Sequence, residues 1–447
     1  MSLNLPYIEA ELQDQYLMAD NNRPWILGFS GGKDSTMLLQ LAWRSIAKLP
    51  AEARHRPVYV VCNDTKVENP RIAQFVERQL QRIEAAARQQ DLPFIVQRTL
   101  PQLQETFWAK LIGLGYPAPD TRFRWCTDRL KINPTTRFIQ GKISSAGEVI
   151  ILLGTREAES AKRAQSMKKH AIHGQRLRKH VLPNAAVFAP IRDVQTPELW
   201  QYLSQVAPPW GGSHKELITL YRNASVDEDC PLVIDTQSAS CGKSRFGCWV
   251  CTVVARDKSM EGLIQNGETW MEPLADLRNF LIEARDTPAT YRQKELRRGY
   301  VREEAWGPYL AETRAEILRR LLQAQYNIQQ EVDESMSFLS YQDLVTIQAL
   351  WHRDGLFSHS VAGIYNSIYP VAMPEATQRS RSHEQHELLQ EVCADAPEHA
   401  VLIEQVMQVM KTKSLLKTRR GLDTSIEAVL DNYLKEQGQA GRKQITG

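Results

Sequence analysis

The segment that most constrains this chain joins an apolar run to an amphipathic one through two adjacent glycines. Residues 25–29, WILGF, form a short apolar run that is typical of a buried strand. Gly31 and Gly32 then turn the chain, and a helix is predicted from Asp34 onward because apolar residues recur there at helical spacing. These apolar residues are Met37, Leu38, Leu41, Ala42 and Ile46. Residues 27–43 therefore predict a strand, a glycine turn and the start of a helix.

This glycine turn has the chemistry of a phosphate site. Glycines lack a Cβ and let backbone N–H groups approach a ligand, and the N-terminus of a helix favours an anion through its dipole. Lysine adds positive charge, and the two serine hydroxyls add hydrogen-bond donors. The alternative is a plain turn before an ordinary helix. The residues predicted to bind phosphate are Ser30, Gly31, Gly32, Lys33, Asp34 and Ser35.

The composition is that of a chain with a sizeable hydrophobic core. The chain has 447 residues, of which 43% are hydrophobic, and this length predicts two or three domains. The formal net charge is only +3, so any nucleic-acid surface has to be local. We find no secretory leader and no apolar run long enough to span a membrane, so a cytoplasmic protein without a membrane partner is expected.

Strand-like and helical patterns alternate through the first half of the chain. Strands are predicted at 25–30, 58–62, 94–97 and 149–153, with a helix over 71–90. Such alternation predicts an α/β fold with a parallel sheet, in which ligands bind beyond the carboxyl ends of the strands. Helical patterns dominate after residue 262. The predicted parts are a lead at 1–20, a nucleotide-binding domain at 21–205, a cysteine-rich segment at 206–262 and a helical region at 263–447.

Two further stretches follow predicted strands and would meet the glycine turn at the same edge of the sheet. Asp64 follows the second strand, where its carboxylate suits a nucleotide, although Asn-Asp-Thr is also an ordinary turn. Gly154 and Thr155 follow the fourth strand. Arg156 and Arg163 are seven residues apart, so both face one side of a predicted helix. Their guanidinium groups suit phosphate oxygens, and the alternative is a solvated helix face.

Residues 162–180 form a local basic segment. Its nineteen residues contain seven Lys or Arg, three His and no acidic residue. Such a segment suits the phosphate backbone of a nucleic acid, and the alternative is a solvated loop. The residues predicted to bind DNA are Lys162, Arg163, Lys168, Lys169, Arg176, Arg178 and Lys179.

The seven cysteines are clustered and odd in number, which favours metal or redox chemistry over disulfides. Cys241, Cys248 and Cys251 form a C-x₆-C-x₂-C pattern that brings three thiolates within reach of one metal. A fourth ligand has to come from elsewhere, and Cys126 and Cys230 are the candidates. Thiolate ligation suits zinc and an iron–sulfur cluster equally well.

Four stretches together resemble one family of nucleotide-using enzymes. SGGKDS at 30–35 is similar to the PP-loop, S-G-G-x-D-S, of ATP α-hydrolases. The others, in chain order, are TFWAKLIGLGYPAPDTRFRWCTDRLKI, LLGTREAESAKRA and CPLVIDTQSASCGKSRFGCWVCTVVARDKSM. They resemble the DndC proteins of DNA phosphorothioation and their Ssp-system counterparts, SspD, which belong to the PAPS reductase-like PP-loop superfamily. The resemblance covers residues 20–275.

The resemblance implies a PP-loop fold and an ATP pyrophosphatase, which converts ATP to AMP and pyrophosphate. In that family the protein acts on DNA with a cysteine desulfurase and other phosphorothioation proteins, and sulfur replaces a non-bridging oxygen of the backbone. The implied cofactors are ATP, Mg²⁺ and a [4Fe–4S] cluster. The implied cluster ligands are Cys126, Cys241, Cys248 and Cys251, with Cys126 preferred over Cys230.

The resemblance also implies roles for individual residues. The catalytic residues would be Lys33, Asp34, Ser35, Arg156 and Arg163, and the ATP site would add Asp64, Gly154, Thr155 and Arg156 to the loop. Two alternatives remain open. One is an enzyme of the PAPS or APS reductase type, and the other is a metal-stapled DNA-binding subunit whose nucleotide site is regulatory.

Overall fold

The computed structural model describes residues 3–18, 23–159, 165, 176–223, 247–297, 301–356, 358–374, 381–414 and 426–434. The chain divides into two compact units. The first comprises Met1–Phe107 and Pro119–Arg278, and the second comprises Trp108–Ala118 and Asn279–Gly447. The domain limits placed at residues 20, 205 and 262 from the sequence stay a prediction.

A six-stranded sheet lies at the centre of the first unit, in the order β3-β2-β1-β4-β6-β5. β1 to β4 and β6 pair in parallel, and β5 is antiparallel to β6. The mainly parallel α/β fold predicted from the sequence is confirmed. The strands are β1 (Trp25–Gly28), β2 (Val58–Asn63), β3 (Phe94–Thr99), β4 (Val149–Leu152), β5 (Arg178–Lys179) and β6 (Ala185–Phe188).

β5 and β6 were not predicted from the sequence. β5 is only two residues long and lies in a basic stretch, and β6 is the short run Ala-Ala-Val-Phe. Neither has enough β-branched or alternating residues to produce a strand pattern. Both strands form because β6 pairs with the buried strand β4.

Seven α-helices of the described chain lie wholly in the first unit. They are α1 (Leu5–Leu17), α2 (Lys33–Ala47), α3 (Pro70–Gln89), α4 (Asn133–Ala146), α5 (Thr196–Gln205), α6 (Lys215–Asn223) and α7 (Lys258–Gln265). α2 and α3 begin close to the positions that helical periodicity predicted.

The strands bury alternate residues on opposite faces of the sheet. Trp25 and Leu27 belong to the large core cluster that includes residues of α2 and α3. Ile26 belongs to a smaller cluster with partly buried side chains of α4. The rings of Trp43 and Phe94 stack with centroids 4.6 Å apart in the large cluster. Burial on both faces fixes the register of the sheet, and with it the loops at the carboxyl ends of the strands.

The second unit is helical in its described residues, which confirms the helical C-terminal region predicted from the sequence. Trp351 donates a hydrogen bond from Nε1 to the carbonyl oxygen of Ile112, at 2.9 Å, within a π-helical segment, Ala109–Gly113. No helix of the described ranges is long and apolar enough to cross a membrane. Following α8 (Glu272–Asp286), which begins in the first unit, the helices are α9 (Pro288–Tyr291), α10 (Ala311–Glu331), α11 (Tyr341–Arg353), α12 (Val361–Asn366), α13 (Arg381–Val392) and α14 (Pro397–Ser414).

Candidate nucleotide-binding site

The candidate site lies where the order of the sheet reverses. From β1 the chain continues to β2 and β3 on one side, and it returns as β4 on the other side of β1. The carboxyl ends of β1 and β4 are therefore adjacent, and the glycine turn follows one while Gly154 to Arg156 follow the other. Ligands of open α/β sheets bind in the crevice at this position.

The glycine turn has a backbone that only glycine accepts without strain. Gly31 has φ of +72°, and a Cβ there would lie 2.4 Å from Cγ2 of Val76. Gly32 is the N-cap of α2, and the first intrahelical hydrogen bond runs from Thr36 N to the Gly32 carbonyl oxygen, at 3.0 Å. The N–H groups of the first turn therefore have no acceptor within the helix, and they mark the positive end of its dipole.

Two serine hydroxyls brace this turn. Ser30 Oγ and Ser35 Oγ lie 3.2 Å apart, and Ser30 Oγ accepts from the backbone N–H of Gly32, at 3.4 Å. Ser35 Oγ also accepts from Ser30 N, at 3.2 Å, and donates to the carbonyl oxygen of Gly32, at 3.1 Å. The two hydroxyls thus hold the loop in a closed shape around the start of α2.

Asp34 and Arg156 form the central ion pair of the site. Arg156 donates from Nε to Asp34 Oδ1, at 2.6 Å, and its side chain is only 1% exposed. The same guanidinium donates to the carbonyl oxygen of Val194, at 3.0 Å, and to Thr196 Oγ1, at 3.2 Å. A buried guanidinium needs such partners because an unpaired charge in the interior is costly.

The expectation that Arg156 lies on a helix face with Arg163 is not what the described residues show. Arg156 precedes a 3₁₀ turn, Glu157–Glu159, and faces the PP-loop from inside the protein. Helical spacing misplaced it because the pairing with Asp34 spans 122 residues of sequence. Arg163 lies outside the described residues.

Gly154 allows the loop after β4 to touch the PP-loop. A Cβ at Gly154 would lie 2.9 Å from the carbonyl oxygen of Asp34, and Cβ atoms do not come this close to other heavy atoms. Thr155, which is partly buried, connects this glycine to Arg156. The Gly-Thr-Arg stretch is thus placed directly against the start of α2.

Lys33 and Tyr221 form a second contact that the sequence did not predict. Tyr221 on α6 accepts a hydrogen bond at its hydroxyl from Lys33 N, at 3.3 Å. Lys33 Nζ lies 5.1 Å from the centroid of the tyrosine ring and 3.3 Å from Asp34 Oδ2. Both residues are buried. A lone tyrosine in a helical pattern looks like a core residue, so the sequence carried no signal for this contact.

Asp64 makes the contacts of an ordinary turn. Its Oδ1 accepts from Lys66 N, at 2.9 Å, and its Oδ2 lies 2.8 Å from Lys66 Nζ. Lys66 has a left-handed backbone with φ of 63°, which fits the turn alternative. A role for Asp64 in binding ATP stays a prediction.

The C-x₂-C pair is attached to the loop between β2 and α3. Trp249 N donates to the carbonyl oxygen of Val67, at 3.0 Å, and Cys248 Sγ lies 3.6 Å from Thr65 Oγ1. Burial raises the pKa of the Cys248 thiol to about 11. Burial, and then the nearby Cys251, raise the pKa of the Cys126 thiol. Cys248 thus lies beside the loop that follows β2, and Cys251 N donates to the carbonyl oxygen of Cys248, at 3.0 Å.

The described residues do not form a metal site. No group of three His, Cys, Asp or Glu side chains in this part of the chain is arranged to hold a metal ion. Cys241 and Cys230 lie outside the described residues. Cys62 is buried in the large core cluster, where the pKa of its thiol is raised by burial to about 12.

The predicted DNA-binding residues divide into two groups. Arg176, Arg178 and Lys179 are described, on and just before the edge strand β5. Arg176 donates to the carbonyl oxygen of Glu11 in α1, at 3.0 Å. Lys162, Arg163, Lys168 and Lys169 lie outside the described residues.

Comparison with known proteins gives a family and several likenesses. A phosphoadenosine phosphosulfate reductase domain model matches residues 24–253, which is 230 of the 447 residues. An uncharacterized protein of Methanocaldococcus jannaschii is 30% identical over 148 residues, which are 33% of this chain and 26% of that protein. The matched part of the chain thus spans about a quarter of the length of that relative.

The comparison with solved structures gives weak likenesses, of which two are described. One is a phosphoadenylyl-sulfate reductase from Candida auris in complex with phosphate, at 12% identity and a TM-score of 0.29, covering 46% of this chain and 88% of that one. The other is an FMN adenylyltransferase from Candida glabrata in complex with FAD and pyrophosphate, at 13% identity and a TM-score of 0.30. This match covers 53% of the present chain and 69% of the adenylyltransferase chain. With its family match over more than half of its length, the chain belongs to the phosphoadenosine phosphosulfate reductase domain family and has a nucleotide-binding PP-loop fold.

Proposed function

We propose that this protein is an ATP pyrophosphatase of DNA phosphorothioation, of the DndC and SspD type. The observation that carries the proposal is the position of the S-G-G-x-D-S loop, which begins a helix at the reversal of the sheet and contacts the Gly-Thr-Arg stretch through Asp34. Nucleotide phosphates are expected at such a point. DNA is proposed as the second substrate because the quoted sequence stretches resemble those of DndC and SspD proteins.

The reaction would activate a very poor leaving group. A phosphate oxygen of DNA attacks the α-phosphorus of ATP, the new P–O bond forms, and the bond to the β-phosphate breaks with release of pyrophosphate. The persulfide of a cysteine desulfurase then displaces AMP from the DNA phosphorus. A second thiol reduces the remaining S–S bond and leaves sulfur on the DNA. The nucleophile is already an anion, so the first step needs no general base.

The chain would contribute positioning and charge stabilisation. The first-turn N–H groups of α2 would receive the departing pyrophosphate, where a preorganised donor lowers the barrier most. Arg156 and Lys33 would act through Asp34, because both cations face its carboxylate. We therefore assign Arg156 and Lys33 as positioning residues.

Magnesium would enter this site with ATP. Both oxygens of Asp34 already face a cationic group among the described residues, so the carboxylate does not fit a direct magnesium ligand in this arrangement. Bound magnesium would neutralise charge on the phosphates. No step above depends on a ligand bond from the protein to the ion.

A [4Fe–4S] cluster on Cys126, Cys241, Cys248 and Cys251 remains part of the proposal. The closeness of Cys248 and Cys251 supports it, since Cys251 N donates to the carbonyl oxygen of Cys248, at 3.0 Å, but the described residues do not gather three ligands around one point. We therefore route no step through a cluster. Iron, zinc and acid-labile sulfide analysis of anaerobically purified protein tests this part, since one zinc and no sulfide would replace the cluster by a structural metal.

The loop is tested by two serine variants of the same helix. Ser35→Ala removes the hydroxyl that contacts Ser30 and Gly32, and we expect pyrophosphate release to fall about 100-fold or more. Ser45→Ala is the matched control, because the buried Ser45 hydroxyl has no hydrogen-bond partner in the described structure. Equal rates for the two variants would remove the loop from the mechanism.

A second candidate function follows from the family itself. Membership in the phosphoadenosine phosphosulfate reductase domain family favours reduction of a nucleotide-linked sulfate. Sulfite production from phosphoadenosine phosphosulfate with a thiol reductant tests it. Sulfite release, without pyrophosphate release from ATP, would select the reductase.

A further inference from the structure

A separate cavity lies in the first unit between α1 and the carboxyl end of β6. Its volume is about 350 Å³, near the lower end of the range of roughly 300–1,000 Å³ for small-molecule sites. Ile8, Phe188 and Pro190 supply apolar wall, and three arginines and three carboxylates supply the charges. The cavity has room for one small group and part of its attached chain.

Most of these charges already have partners. Arg176 lies 3.5 Å from the Glu11 carboxylate, and it also contacts Asp14, at 3.6 Å. Arg192 pairs with Asp193, at 3.1 Å. The remaining carboxylate, Glu198, accepts from the backbone N–H of Gln195 at the start of α5, at 2.9 Å. The lining therefore has two internal ion pairs and one helix-capping carboxylate.

Arg178 is the cation left over. Its guanidinium makes no hydrogen bond or ion pair with any residue in the ranges that the structure describes, although it is partly buried and lines the cavity. Burial and the nearby positive charge of Arg192 lower the pKa of Arg178, while Glu157 opposes this. A partly buried cation beside a like charge is unfavourable until an anion lies against it.

We propose that this cavity holds one phosphodiester group of a nucleic-acid strand, bound through the guanidinium of Arg178. The inference rests on the proposed function, in which DNA is the second substrate. A phosphodiester carries a single negative charge, which matches the one lining arginine that has no hydrogen bond or ion pair to the described part of the chain. A phosphate monoester would bring a second charge close to three carboxylates. A guanidinium also fits two phosphate oxygens at once.

Two further contacts favour this occupant. The ring of Tyr7 lines the cavity and is 59% exposed, so it offers a face on which a base can stack. The cavity wall is also bonded to the loop after β4, because Arg156 donates to the Val194 carbonyl oxygen, at 3.0 Å, and Glu157 N donates to that of Arg192, at 2.8 Å. An occupied cavity would thus lie against the same loop that contacts the PP-loop.

The test compares Arg178 with an arginine that lies outside the predicted DNA-binding residues. Arg178→Gln and Arg88→Gln each remove one guanidinium, but Arg88 forms an exposed pair with Glu84 on α3, and only Arg178 lines the cavity. The full chain is titrated with a labelled oligonucleotide at several salt concentrations. We expect Arg178→Gln to weaken binding about tenfold and to reduce the salt slope by about one. Arg88→Gln is expected to change affinity less than about twofold.

The choice of probe distinguishes binding of a phosphodiester from binding of a carboxylate. An oligonucleotide with uncharged methylphosphonate linkages should bind wild-type protein and Arg178→Gln equally, and dimethyl phosphate should compete better than acetate at equal ionic strength. Stronger competition by acetate would make the cavity a carboxylate site and overturn the proposal. Thermal unfolding controls for folding, and we expect no loss because Arg178 has no partner among the described residues to lose.

Different experimental results would contradict the cavity proposal and the proposed function. If the two variants lose affinity equally while DNA still stimulates pyrophosphate release, the cavity proposal is wrong and the enzyme assignment stands. If wild-type protein neither binds DNA nor releases pyrophosphate with it, the proposed function is wrong and the cavity proposal with it.

Discussion

Arg156 donates to Asp34 across 122 residues of sequence, at 2.6 Å, and this ion pair connects the loop after β4 to the PP-loop. Arg156 is 1% exposed, whereas Asp34 keeps 21% of its side chain exposed. The guanidinium is fixed from the other side by Val194 and Thr196. The aspartate of the loop is therefore held in place by the interior of the protein.

Removal of this arginine should reduce both stability and turnover. Arg156→Met removes the partner of a partly buried carboxylate, and we expect the free energy of unfolding to fall by about 3–5 kcal/mol. Arg88→Ala is the control, because Arg88 forms an exposed pair with Glu84 one turn away on α3 and should cost less than about 0.5 kcal/mol. Urea denaturation measures both, and equal losses would show that the Asp34 pair is not structural.

The close approach of Gly154 to Asp34 gives a second prediction. Gly154→Ala places a Cβ 2.9 Å from a backbone oxygen, so the loop after β4 has to move away from the PP-loop. We expect pyrophosphate release to fall by up to about 100-fold, because small displacements of positioning groups are costly. Gly141→Ala in α4 is the matched control, since a Cβ there meets nothing within 4 Å, and alanine favours a helix over glycine. Steady-state rates of pyrophosphate release are compared for the two variants. A fully active Gly154→Ala would contradict the close contact.

His214 gives a prediction about pH. It is buried against Gln40, with Nε2 and Oε1 2.7 Å apart, and burial lowers its pKa to about 4. The unfolded chain, with an ordinary histidine pKa of about 6.5, binds more protons than the folded chain between pH 6.5 and 4, so stability rises with pH in this window. We expect that lowering the pH from 7 to 5 reduces the free energy of unfolding by about 2 kcal/mol through His214 alone.

The pH prediction is checked by urea denaturation at several pH values. His214→Asn keeps a polar group near Gln40 but does not titrate, so its stability should depend less steeply on pH than that of the wild-type protein. Parallel curves for the two proteins would show that His214 is not held neutral by burial.

Tyr221→Phe tests the contact at the start of α2. The variant keeps the ring beside Lys33 and the edge contact with Trp200, whose centroid is 5.0 Å away, but it loses the hydroxyl that accepts from Lys33 N. We expect a loss of about 1 kcal/mol in stability. Because Lys33 lies at the PP-loop, the KM for ATP should also change while kcat changes little. A change in stability with an unaltered KM would make Tyr221 a core residue only.

Much of the fold followed from local patterns. The apolar runs at 25–29 and 149–153 contain the buried strands β1 and β4, and α2, which begins one residue before Asp34, follows the periodicity of its apolar face. These elements depend on hydrophobic burial, which produces a recognisable pattern of apolar residues in the sequence. β5 has only two residues, and β6, although as long as β1 and β4, contains a single β-branched residue, so neither shows such a pattern. β6 forms by pairing with β4, and β5 forms by pairing with β6.

The site was less predictable than the fold. The glycines and serines of the PP-loop could be placed because a turn requires them locally. The burial of Arg156 and the contact of Tyr221 with Lys33 could not, because each depends on a partner more than 100 residues away. Helical spacing therefore placed Arg156 on one helix face with Arg163, whereas the folded chain buries Arg156 against Asp34.

The products formed from ATP test the central claim most directly. Purified full-length protein is incubated anaerobically with ATP, Mg²⁺, DNA, a persulfide donor and a reducing thiol, and the phosphorus-containing products are identified by ³¹P NMR. We expect AMP and pyrophosphate in equal amounts, with a rate that depends on DNA and is lost in Ser35→Ala. Formation of ADP and inorganic phosphate, or no turnover of ATP with any DNA, would contradict it.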